Sequence, residues 1–187
     1  MKKLAVLVVS ILLMSFSLGD KKIGGINMPE TLKAGGTTLE LNGAGIRTKY
    51  FIKLYVGGLY LQTKTKDAKK VLDADEPMAI RLHIISSMIT SEKMEESTRE
   101  GFENSMDGNT DALKGEIEMF IDIFKKEIKD GDTFNMVYVP GKGLKVYKNE
   151  KLETTIQNPA FKKALFGIWL GEDPAQSSLK EDMLGED

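Results

Sequence analysis

The sequence predicts an α+β chain: a large, mainly antiparallel sheet with helices packed on one face. Three observations carry this. Segments of period two come in adjacent pairs joined by turn residues, as antiparallel hairpins do. Amphipathic helical stripes lie between and after them, without the regular strand–helix alternation of a parallel sheet. Apolar residues make up 41% and charged residues 29% of the 187, enough for one buried core and one domain.

In chain order, Thr37–Leu41 and Ile46–Lys49 are expected as strands on either side of a turn at Asn42-Gly43-Ala44-Gly45. Tyr50 to Gln62 is aromatic and β-prone, and its Gly57-Gly58 pair marks a bulge or a close backbone approach. A short helix is expected over Lys66–Ala74. Ala79–Ser86 alternates, with Ile80, Leu82 and Ile84 on one face and Arg81 and His83 on the other.

Ser91 reads as the N-cap of a helix carrying Met94, Thr98, Phe102 and Met106. Asn109 or Thr110 caps the next, whose stripe is Leu113, Ile117, Phe120, Ile121, Phe124 and Ile128. Phe134–Val139 and Leu144–Lys148 flank Pro140-Gly141-Lys142-Gly143 as a hairpin, and Leu152–Ile156 adds a strand. Asn158-Pro159 opens a helix with Phe161, Ala164, Leu165 and Ile168 on one side, and Asp173-Pro174 opens a last one to about Leu184.

Residues 1–19 read differently. Met1-Lys2-Lys3 precedes a charge-free run from Leu4 to Leu18, and Ser17-Leu18-Gly19 supplies the small residues of a cleavage site. This is the pattern of a signal peptide, and the run is shorter than the roughly 20 residues that span a bilayer. The expectation is a bacterial export signal, a mature domain over 20–187 in the periplasm, and no stable membrane anchor after cleavage.

Composition excludes several kinds of function. No cysteine is present, so disulfides, thiol nucleophiles and cysteine-held metals are absent. A single histidine, His83, removes most triads and His-built metal sites; it is expected as a packed or surface residue. The net charge is −2 before Lys2 and Lys3 are lost, which is no footprint for nucleic acid. Gly43-Ala44-Gly45 starts like a dinucleotide fingerprint but meets Thr48 where the third glycine belongs, and no cofactor is expected. The carboxylates Glu95, Glu96, Glu116 and Glu118 are expected on solvated helix faces rather than as a hydrolytic pair.

The most distinctive stretch runs Gly43-Ala44-Gly45-Ile46-Arg47-Thr48-Lys49-Tyr50-Phe51-Ile52-Lys53-Leu54-Tyr55-Val56-Gly57-Gly58-Leu59-Tyr60-Leu61. It resembles the chalcone isomerase superfamily, in which a Gly-x-Gly-x-Arg turn leads into a Phe-Ile-Lys-aromatic strand. Phe161-x-x-Ala164-Leu165-Phe166-Gly167-Ile168-Trp169-Leu170-Gly171 and the closing Asp173-Pro174…Leu184-Gly185 are similar to exported bacterial chalcone isomerase-like proteins. The resemblance spans about Gly24 to Gly185. It implies an open-faced layer fold with a cleft between sheet and helices.

The resemblance also bears on activity. Plant chalcone isomerases close a flavanone ring with an arginine, two threonines, a tyrosine and an asparagine. The arginine falls on Arg47. The strand threonine falls on Tyr55, the tyrosine and asparagine near Thr90 and Ser97, and the second threonine near Ile168. One catalytic position of the five is kept, which argues against that reaction.

A buried guanidinium needs an anion, and no acid adjoins Arg47 in sequence. Two readings follow. Arg47 and Tyr55 at the closed end of an apolar cleft would hold the carboxylate of a fatty acid or similar lipid, as fatty-acid-binding members of the superfamily imply. Alternatively, Arg47 pairs with an acid brought in by the fold. An isomerase acting on another enone and a protein-interaction module without a small ligand are the remaining functional alternatives. Tyr50, Phe51 and Tyr60 are expected in the core, or as pocket wall.

Overall fold

The computed structural model describes residues 21–186; the expected signal peptide lies outside the described residues. Strand β1 (Lys21–Ile23) and β2 (Ile26–Met28) form a small hairpin. The main sheet holds β3 (Thr31–Ala34), β4 (Thr37–Lys49), β5 (Ile52–Leu61), β6 (Met78–Ile84), β7 (Thr133–Val139), β8 (Gly143–Lys148) and β9 (Lys151–Ile156). All seven lie in sequence order, and every neighbouring pair is antiparallel. Helices α1 (Ala68–Asp73), α2 (Ser91–Ser105), α3 (Lys114–Ile121), α4 (Pro159–Leu170) and α5 (Ser177–Leu184) complete the α+β fold.

The sheet separates two cores. Its helix-facing side carries Leu59, Ile80, Leu82, Phe134, Met136 and Val146, packed under Phe102, Phe120 and Phe161 of the helices. The Phe102 and Phe161 rings lie 5.4 Å apart, and Phe120 meets Phe124 edge-on at 5.3 Å. The opposite side buries Leu39, Leu41, Ala44, Val56 and Tyr60 beneath Met28 of the small hairpin. His83 and Arg81 point to that second side, as the alternation in β6 requires.

The expected turn at Asn42–Gly45 does not exist: β4 runs straight through it. A bulge at Asn42 adds one residue between the Leu41–Tyr60 and Gly43–Leu59 pairs and reverses the parity of the strand. Leu39 and Leu41 thus share the second core with Ala44, while Gly43, Gly45 and Arg47 turn toward the helices. The glycines serve proximity. A Cβ at Gly43 would sit 2.1 Å from the Asp182 carbonyl oxygen, and one at Gly45 2.0 Å from the Asp182 carboxylate. Helix α5 lies directly on bare β4 backbone. Gly57 and Gly58 pair regularly with Leu82 and Arg81, so there is no bulge, and close approach to Met28 accounts for Gly58.

Other boundaries move for local reasons. Thr90, not Ser91, caps α2, its hydroxyl accepting from the Lys93 amide. The stripe from Leu113 to Ile128 is buried as expected, but its helix is flanked by 3-10 turns at Thr110–Leu113 and Asp122–Lys125. Asn158 caps α4 with Pro159 in the first turn. Helix α5 starts at Ser177, later than Asp173-Pro174 suggested. Tyr50 and Phe51 are neither core nor strand. They form the exposed β4–β5 turn, whereas Tyr60 is fully buried.

Candidate functional site

A cavity of about 550 Å³ lies between the sheet and α2, α3 and α4. Its deep wall is buried and apolar: Leu82, Phe134, Met136 and Val146 from the sheet, and Phe120, Phe124 and Ile168 from the helices. Its rim is exposed and mixed, with Lys49 and Tyr50 on the strand side and Lys93, Glu96, Ser97 and Glu100 on α2. The strand alternation of β6 to β8 builds the wall, since every second residue of each strand faces the helices.

The structure brings Arg47 and Tyr55 together. They are directly opposed across β4 and β5, and both line the cavity. A second bulge follows at once, where Leu54 is the extra residue between the Arg47–Tyr55 and Thr48–Lys53 pairs. It turns Leu54 and Ile52 to the same cavity as Tyr55. Tyr55 is the buried member at 8% exposure, while Arg47 is half-buried. The pair therefore lies between rim and floor, not both at a sealed end.

The Tyr55 hydroxyl accepts a hydrogen bond from the Trp169 indole Nε1–H at 2.9 Å. A phenol has one proton of its own to give. No acceptor for it is found among the described residues, and the ring lines the cavity. Burial pushes the Tyr55 phenol above its ordinary range, and the Trp169 hydrogen bond and the Arg47 charge only partly offset this. The phenol is neutral near pH 7 and remains a donor.

Arg47 has no carboxylate partner among the described residues. Its Nη1 donates to the Gln176 side-chain oxygen at 3.1 Å and to the Thr48 carbonyl at 3.0 Å. Gln176 is the residue that sequence reading missed. Its oxygen also accepts from the Thr48 amide at 2.8 Å, and its Nε2 donates to the Ile46 carbonyl and the Ser178 hydroxyl. This amide staples the start of α5 to β4 at Ile46 and Thr48, opposite the Leu54 bulge of β5, and steadies the guanidinium through a neutral group. No pattern around Ala175-Gln176-Ser177 announces it. Among the described residues, the neutral Gln176 side chain stands where the alternative reading expected an acid for Arg47.

The other positions separate. Ser97 and Ile168 line the cavity, Ser97 at the exposed rim and Ile168 in the wall. Thr90 is occupied as a helix cap and is not among the lining residues. Glu95 and Glu118 both bind Arg99, at 2.9 and 2.6 Å, and Glu116 accepts from Asn158. His83 lies across the sheet from the cavity. Burial, then the Arg81 charge, lowers its pKa. No cluster of metal-ligating side chains occurs among the described residues.

Sheet, helical cover and enclosed chamber define an α+β protein with an apolar internal site and one polar pair in its wall. Residues 20–185 match the family described as chalcone isomerase-like, and the chain belongs to that family. Comparison with curated proteins gives no match. Among solved structures, a fatty-acid binding protein of Arabidopsis thaliana is similar with a TM-score of 0.68 and 20% sequence identity. The likeness covers 87% of this chain and 93% of that one. At this identity it is a likeness of fold.

Proposed function

We propose that this chain is a non-catalytic binder of a hydrophobic carboxylate, a fatty acid or a similar lipid, acting in the periplasm after export. One observation carries the reading: a neutral phenol, held by Trp169, stands opposite a guanidinium that has no acid partner among the described residues, in the wall of an apolar chamber. A carboxylate is the anion that both donors suit. Arg47 supplies charge and a fork, and Tyr55 supplies a second hydrogen bond. The tail would lie against Phe120, Phe124, Phe134 and Met136, where burial of apolar surface contributes the rest. The volume falls in the range of about 300–1,000 Å³ usual for small-molecule sites.

The structural relative from Arabidopsis thaliana is named a fatty-acid binding protein, which agrees with this reading. By resemblance, the isomerase reaction would need oriented donors where this chain has Thr90, Ser97 and Ile168. Of these, one is a helix cap and one has no polar atom in its side chain.

The test of binding is mass spectrometry of the ligand released on denaturing protein purified from its own host, followed by titration of the delipidated protein with palmitate. Recovery of a fatty acid and saturable binding support the reading. A chamber that takes up no carboxylate contradicts it. The test of export is the N-terminus of the protein found in the periplasmic fraction, expected near Asp20.

A further inference from the structure

The β4–β5 turn presents two aromatic rings to solvent at the mouth of the chamber. Tyr50 is 83% exposed and Phe51 fully so. Both have positive φ, 51° and 65°. This is the backbone of a tight two-residue hairpin turn, which favours Asn-Gly and disfavours bulky side chains.

The chain itself makes the comparison. The β8–β9 turn has the same pair of angles, 48° and 68°, but uses Asn149-Glu150. There the Asn149 side chain accepts from Thr133 and donates to Asp132, so polar groups serve the turn. Nothing in the geometry of a two-residue turn calls for Tyr-Phe. A strained turn that displays aromatic rings points to something outside the fold.

Two further observations say what that is. Of the five large apolar side chains exposed among the described residues, Tyr50 and Met88 line this one mouth, and Phe51 follows Tyr50 in the turn. The tip is bracketed by exposed Lys49 and Lys53, with the Lys49 ammonium over the Tyr50 ring at 5.9 Å. Aromatic rings flanked by lysines suit the headgroup layer of a membrane, rings at the interface and ammonium groups on anionic lipid. The opposite lip is net acidic, with Glu96, Glu100 and Asp173 against the single cation Lys93. Approach is therefore by the hairpin lip, with the acidic lip tilted away.

We propose that the Tyr50–Phe51 tip, between Lys49 and Lys53, seats the chamber mouth on a lipid bilayer with anionic headgroups. Its purpose, loading or release of lipid, rests on the fatty-acid reading of the chamber; its chemistry does not.

The experiment is co-sedimentation of the domain from Asp20 onward, which holds every strand and helix described, with phosphatidylcholine vesicles with and without phosphatidylglycerol. Expected is tighter binding to phosphatidylglycerol vesicles by about tenfold or more, weakened by salt. Tyr50→Asn/Phe51→Gly should abolish binding while melting at the same temperature or higher, since Asn-Gly relaxes the turn. Lys49→Gln/Lys53→Gln should remove the preference for anionic vesicles.

Absence of binding to either vesicle, as for a tip that meets a protein partner, overturns the proposal. So does undiminished binding by the tip variant. If delipidated protein binds no fatty acid in free solution yet sediments with vesicles through its tip, the chamber reading fails and the docking stands.

Discussion

The Trp169 indole N–H donates to the Tyr55 hydroxyl across 2.9 Å, joining the last turn of α4 to strand β5 of the sheet. Both groups are buried, so the bond fixes the direction in which the phenol offers its own proton. Tyr55 and Arg47 line the same chamber.

The bond makes Tyr55→Phe more than the loss of a hydroxyl. It leaves a buried indole N–H without its acceptor, which costs about 1–3 kcal/mol. In a Trp169→Phe background that orphaned donor is gone, and Tyr55→Phe should cost about 1 kcal/mol less. Urea unfolding of the two single variants and the double variant measures this. Additive effects would show that the bond carries no coupling.

Gly43→Ala should destabilise the fold by about 3 kcal/mol, because its Cβ would meet backbone atoms of α5 that have no side-chain freedom to yield. Gly36→Ala, where nothing lies within 4 Å, should stay within about 0.5 kcal/mol of wild type. Denaturant midpoints of the two variants decide whether α5 rests on bare strand backbone.

Much of the fold was legible because its signals are local. Alternation placed Ile80, Leu82 and Ile84 on the chamber side of β6, and Asn158-Pro159 marked the start of α4. Gly43 and Gly45 misled because glycine marks both turns and close packing, and only the position of α5 tells them apart. Tyr50 and Phe51 misled because β-propensity does not reveal where a hairpin reverses. Arg47 and Tyr55 were legible as a pair through family resemblance. The Gln176 staple was not, since it depends on contacts across 129 positions of sequence.

His83 should be neutral at pH 7. Its folded pKa lies below that of an unfolded histidine, about 6.5, through burial first and the Arg81 charge second, with Asp130 opposing. Below about pH 6.5 the unfolded chain therefore binds more protons at this site than the folded one. Stability falls as pH drops through this window, and His83→Gln should remove that part of the loss. As the sole histidine, it gives a single imidazole titration by NMR. A midpoint at or above 6.5 would contradict the burial argument.

Cyclisation of a chalcone should not exceed the uncatalysed rate. Each oriented donor typically contributes about 10²–10³-fold, and by resemblance only Arg47 of the five positions is kept. Turnover at about 1 s⁻¹ or faster, lost on Arg47→Ala, would make this chain an enzyme.

The central claim is that Arg47 holds a carboxylate. Arg47→Ala should weaken palmitate binding by about 2–5 kcal/mol, and Lys should restore it only in part. Without ligand the variant should melt close to wild type, because Arg47 leaves no acid behind among the described residues and Gln176 keeps its bond from the Thr48 amide. The direct measurement is thermal unfolding of delipidated wild type and Arg47→Ala, each with and without palmitate. At a hundredfold excess over Kd the wild type should gain about 2.7 kcal/mol, a rise of roughly 5–10 °C, and the variant little or nothing. Equal rises in both proteins, or none in wild type, would contradict the account.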